Sequence, residues 1–148
     1  MRTKLVAGAV VTVSAALLTA PAQADAAYWK GKTAQGRIVT VRTGDDGLVT
    51  RVRVFWRSRC RNSTLRGGTA FVRPIDRLEP RAFEDGGTSR ARVEGGIRSR
   101  DNAFVRGNMG RRDRWRGTFH MRSVLRRDGR VVDRCRVKRI RWSARRVS

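Results

Sequence analysis

Four arginines recur with a two-residue rhythm in one short stretch. Arg51, Arg53, Arg57 and Arg59 alternate with Val52, Val54, Trp56 and Ser58, and Phe55 takes the remaining place in their row. An extended strand sends alternate side chains to opposite faces, so these arginines share a face. Neighbours on that face lie about 6.6–6.8 Å apart along the strand. This is comparable to the spacing of successive phosphates in an extended single strand, or of charges in a teichoic-acid-like polymer. The guanidinium group presents a planar fork that matches such oxyanions bidentately. An aromatic ring among the arginines can stack on bases or sugars. The same pattern also describes a plain solvated strand face, with Phe55 covered by an opposite sheet or loop. Arg111-Arg112-Asp113-Arg114 and Arg126-Arg127 add basic turns.

Other chemistry-bearing residues point to less. His120 is the one histidine and falls beside Arg116, Thr118 and Arg122, opposite Gly117, Phe119 and Met121. A lone histidine among cations, with no serine–aspartate partners in view, is a poor general base. Asp45 and Asp46 sit between glycines, where aspartate serves turn geometry. Lys30-Gly31-Lys32-Thr33 lacks the spaced glycine that a phosphate loop carries before its Gly-Lys-Thr. No catalytic residue, metal site or cofactor is therefore expected, and the chain does not read as an enzyme.

Cys60 and Cys135 are the only cysteines. An even count in an exported chain favours a disulfide. Two cysteines without nearby histidines are too few ligands for zinc. Two free thiols are the other alternative. Closing a loop of about 75 residues would contribute about 4 kcal/mol on the chain-entropy account.

Export is expected from the first residues. Arg2 and Lys4 precede an apolar run from Leu5 to Ala20, and Pro21 and Ala22-Gln23-Ala24 follow. A charged start, an apolar middle and a small-x-small end form a secretory signal. The run is shorter than the ~20 residues a membrane-spanning helix needs. Cleavage is expected after Ala24, with Ala26 or Ala27 as a second position. Residues 1–24 are thus read as a helical signal and residues 25–148 as one secreted domain with no membrane span, expected to be monomeric.

The net charge is +23, and the signal carries two of those charges and no acid. This is far beyond the magnitude of ~2–8 usual for a small domain. Such a chain repels itself and attracts polyanions. A GC-rich codon bias accounts for 31 Arg against 4 Lys, but not for 35 bases against 12 acids.

The elements that position these residues read as short strands. Stretches 37–43, 48–60, 69–73, 88–94, 104–109, 115–124 and 131–144 alternate or run apolar, and Phe83 anchors a further short piece. Residues 62–68 read as a loop, Asp85-Gly86-Gly87 as a break, and the tail from Arg145 to Ser148 as frayed. Pro74 ends the strand at 69–73. Gly44-Asp45-Asp46-Gly47 and Arg126-Arg127-Asp128-Gly129-Arg130 read as hairpin turns. In the 48–60 strand strict alternation sends the even positions inward and Val49 outward. The inward phase shifts between Val137 and Ile140, which predicts a bulge. Seven or eight short strands at this spacing predict an all-β antiparallel sandwich or flattened barrel.

The motif Trp29-Lys30-Gly31-Lys32-Thr33-Ala34-Gln35-Gly36, then Cys60, Gly117-Thr118-Phe119, Cys135 and Trp142-Ser143-Ala144-Arg145, resembles a group of small exported actinobacterial proteins. Their first aromatic is usually Tyr; here Trp29 holds that place and Tyr28 precedes it. The resemblance spans nearly the whole mature chain. It implies a β-sandwich and a Cys60–Cys135 pair, and it brings no activity. The expectation is a secreted, non-catalytic protein whose partners are anionic polymers, either cell-wall polymer or nucleic acid. The alternative is a module that binds or inhibits a protein through an apolar patch containing Phe55, Trp29 or Phe104.

Overall fold

The computed structural model describes residues 26–72 and 81–147. The expected signal and Pro74 lie outside them. Eight strands follow one another: β1 (Tyr28–Thr33), β2 (Ile38–Thr43), β3 (Val49–Cys60), β4 (Thr64–Val72), β5 (Ala82–Val93), β6 (Ile97–Gly110), β7 (Arg114–Arg127) and β8 (Arg130–Arg146). They form one antiparallel sheet in the order β4-β3-β2-β1-β8-β7-β6-β5, and β3 pairs with β8 as well. The sheet curls over its own inner face. Phe71 of β4 meets Phe119 of β7 edge-on at 6.3 Å, and the Thr69 hydroxyl donates to the Met121 sulfur at 4.0 Å. The all-β expectation therefore holds in its flattened-barrel form.

The alternation of β3 is realised as read: Val52, Val54, Trp56 and Ser58 are buried, and the arginines between them face out. They join Val39, Val41, Phe119, Met121 and Val137 on the inner face. At one end, Phe83 packs on Trp115 at 5.2 Å and stacks on Trp142 at 6.2 Å. Trp29 meets Trp115 edge-on at 6.3 Å. Gly117 lies where a Cβ would strike the Arg106 carbonyl and the Trp142 ring, so the G-x-F motif marks a close approach of β7, β6 and the closing tryptophan.

Both expected hairpin turns form. Asp128 and Gly129 each adopt positive φ, as the tightest hairpin turns require. Asp46 accepts a hydrogen bond from the Leu48 N–H at 2.8 Å, which is its turn role. The predicted bulge is present: Phe119 pairs with Ile140 but Met121 with Val137.

Several boundaries differ from the sequence reading. β1 escaped it, because a glycine and two lysines dilute its apolar pattern. Residues 64–68 are strand, not loop. Gly67 and Gly68 are covered by the rings of Trp56 and Phe55, which come within 2.9 and 3.1 Å of where a Cβ would sit. β5 runs unbroken through Asp85-Gly86-Gly87, with the Phe104 ring over Gly86. A register shift opposite Arg42 and Thr43 turns Val49 inward, where it packs against the core. Arg145 and Arg146 are not frayed but pair with Lys30 and Trp29.

Candidate polyanion-binding face

The face is built around a junction. β1 and β2 are short and lie between β3 and β8, so β3 and β8 reach beyond the β1–β2 turn. That turn is fastened to both. The Thr33 hydroxyl accepts from the Gln35 and Arg37 N–H groups, each at 3.2 Å. The Ala34 N–H donates to the Arg141 carbonyl at 2.8 Å. The Gln35 side chain donates to the Arg57 carbonyl at 2.8 Å and accepts from its N–H at 2.9 Å. Past this plug β3 and β8 pair directly, Arg59 with Arg136 and Cys60 with Cys135, and the two cysteines form a disulfide. The Asp133 carboxylate accepts from the Arg61 and Asn62 N–H groups and the Ser63 hydroxyl, which closes the β3–β4 turn over the junction. Partial desolvation raises the Asp133 pKa. Hydrogen bonds from Arg134, Asn62, Ser63 and Arg61 together outweigh it and hold the carboxyl below its ordinary value.

Arg51, Arg53, Arg57 and Arg59 are all exposed on the outer face of β3. Phe55 is 37% exposed. No opposite sheet covers it: its ring lies against Gly68 of β4, and the Arg53 guanidinium sits 5.9 Å from the ring centre. Register adds arginines that the reading of single strands missed. Arg51 is abreast of Arg42, Arg57 of Arg66, and Arg59 of Arg136, which is itself abreast of Arg122. Each of these sits at an outward position of its own strand, which the sequence could have suggested; which strands stand side by side it could not. The β3–β8 junction thus carries the basic row across three strands, Arg59–Arg136–Arg122.

Among the described residues, acids avoid this face. β1 to β4 contain no Asp or Glu, and neither does β7. The strand acids Asp85, Asp101 and Asp133 take inward positions, abreast of Val105, Ser123 and Leu125. Glu84 is the one strand carboxylate in the outward phase. Among the described residues the ion pair shown is Arg146–Asp113 at 3.4 Å, at a turn.

His120 is on the outer face as expected, but it is half-buried and stacked on Phe104 at 5.3 Å. Burial, and then the nearby Arg139 and Arg122, lower its pKa from the usual 6.5. Trp29 is buried, so of the three aromatics considered for a protein-binding patch only Phe55 stands exposed; Ile38, on the neighbouring β2, is 43% exposed. No helix among the described residues is long and apolar enough to cross a membrane, and the disulfide is consistent with an oxidising compartment. No family model matches the chain, and neither a curated protein nor a solved structure is significantly similar to it.

Proposed function

We propose that this is a secreted, non-catalytic protein that binds anionic polymers through the outer face of its sheet. The observation that supports it is the sorting of charge. Codon bias can enrich arginine over lysine, but it does not put three of the four strand carboxylates at inward positions, and the other described acids in turns, while guanidinium groups face out. Unpaired cations in cross-strand rows raise the energy of the free protein, since like charges opposite each other repel. A polyanion relieves that repulsion and releases its own counterions.

Arg51, Arg53, Arg57 and Arg59, extended by Arg136 and Arg122, form the contact row. The alternative, an apolar patch that docks a protein, has less support, because Trp29 is buried and Phe104 is stacked with His120. The test is retention of the disulfide-bonded protein on heparin and on a phosphodiester polymer across a salt series. Steep loss of retention with salt is expected. Retention that is absent, or that does not change with salt, overturns the proposal.

A further inference from the structure

Beyond β3, arginines converge at the far end of the sheet. β5 and β6 form a hairpin around Glu94-Gly95-Gly96, in which both glycines take positive φ. Its register sets Arg90 abreast of Arg100 and Arg92 abreast of Arg98. Arg98 is abreast of Arg126 on β7. Five arginines, Arg90, Arg92, Arg98, Arg100 and Arg126, line a cleft of about 630 Å³ with Ala91 and Ser99 between them. No carboxylate is among the described residues that line it. A second arginine-lined cleft, of about 360 Å³ near Arg111, contains Asp113 and its ion pair with Arg146. The first is therefore the stronger anion site.

Directly opposed residues of an antiparallel pair have Cβ atoms about 4.5–5.5 Å apart, close enough for like charges to destabilise the pair. Here two such pairs follow each other on one face, about 6.6–6.8 Å apart along the strands. A single phosphate between the members of a pair would turn each repulsion into two charge-assisted hydrogen-bonded contacts. Successive phosphates along a polymer would then fill successive pairs.

The geometry points to this cleft as a dedicated site for two consecutive phosphodiesters of a linear polymer. The inference rests on the polyanion-binding proposal and adds to it a place and a ligand chemistry. No aromatic side chain is among the described residues that line the cleft, so the site reads the backbone and not what hangs from it. Oligo-dT and poly(glycerol phosphate) share that backbone chemistry and should bind alike.

The experiment compares the secreted, disulfide-bonded protein with R98Q/R100Q, which removes one member of each opposed pair, and with R111Q/R112Q, which removes the same charge at the other cleft. Affinities for oligo-dT and for poly(glycerol phosphate) are measured across a salt series, with the melting temperature of each free protein. R98Q/R100Q is expected to bind both polymers at least tenfold more weakly at low salt, and to melt higher than the parent because repulsion is relieved. R111Q/R112Q is expected to lose less than threefold.

Equal losses in the two variants overturn the inference but leave general polyanion binding standing. Absence of salt-sensitive binding by the parent protein overturns both. A loss confined to oligo-dT would show that bases are read and would overturn the backbone-only site. A lowered melting temperature for R98Q/R100Q would make these arginines structural, which also overturns it.

Discussion

The side-chain amide of Gln35 pairs with the backbone of Arg57 as a neighbouring strand would, donating at 2.8 Å to its carbonyl and accepting at 2.9 Å from its N–H. A single side chain thus continues the ladder where β2 has ended and β8 has not yet arrived. The motif that contains it is a structural plug: Thr33 holds the turn, Gly36 supplies a φ of 73° and Gln35 seals the gap.

Gln35→Ala removes both of these bonds. Each intramolecular hydrogen bond contributes roughly 0.5–1.5 kcal/mol net, and water can reach Arg57 to replace part of it. A loss of about 1–2 kcal/mol is expected in urea denaturation. Loss of stability with an unchanged denaturant slope would confirm local opening; no loss would refute the plug.

Replacing Cys60 and Cys135 by alanine should cost about 4 kcal/mol, as expected for a closed loop of this length. The loss should also reach the basic face. Without the bond the Arg59–Arg136 row is held by β3–β8 pairing alone, so binding to heparin should fail at lower salt than in the parent. Denaturation and salt-gradient elution of the same variant check both effects.

Substituting Arg51, Arg53, Arg57 and Arg59 together by glutamine should leave stability nearly untouched or slightly raised, because all four are exposed. The dependence of log affinity on log salt should become shallower by about 0.7 for each single-strand phosphate that these arginines no longer neutralise. An unchanged slope would remove β3 from the binding surface.

Stability should decline in acid in two stages of one sign. The His120 pKa is lowered in the folded state, so the unfolded chain takes up its proton first, and stability falls as pH drops from 6.5 towards the folded value. The Asp133 carboxyl is also lowered, so its contribution is present above its ordinary 3.8 and is lost as pH falls through the folded value. His120→Gln should flatten the first decline and Asp133→Asn the second, as followed by thermal melts at stepped pH.

What could be read in advance follows from how local each cause is. The β3 faces were legible because Val52, Val54 and Trp56 differ so sharply from the arginines between them. The bulge before Ile140 was legible as a slip in the same rhythm. Glycines misled the reading at 67–68 and 86, because a ring on a neighbouring strand supplies what their side chains lack. That ring belongs to another segment, so no window around the glycine contains the reason. Likewise Arg59, Arg136 and Arg122 each obey a local phase, but their adjacency depends on a β8 that reaches past β1 to β3. The paired arginines of the β5–β6 hairpin were closer to legible, since Gly95-Gly96 marks the fold-back; the stretch before Phe104 simply lacked enough apolar residues to be read as strand.

The place of β8 has a consequence for the order of events in folding. It is the last of the eight strands, yet it stands between β1 and β7, so without it the β1–β4 and β5–β7 halves share no ladder. The first half must wait for a partner about a hundred residues downstream of β1, the kind of non-local pairing that slows folding. Cys60 waits with it, as a thiol. The step that locks the sheet therefore cannot occur until the final strand has been made and has reached the rest of the chain.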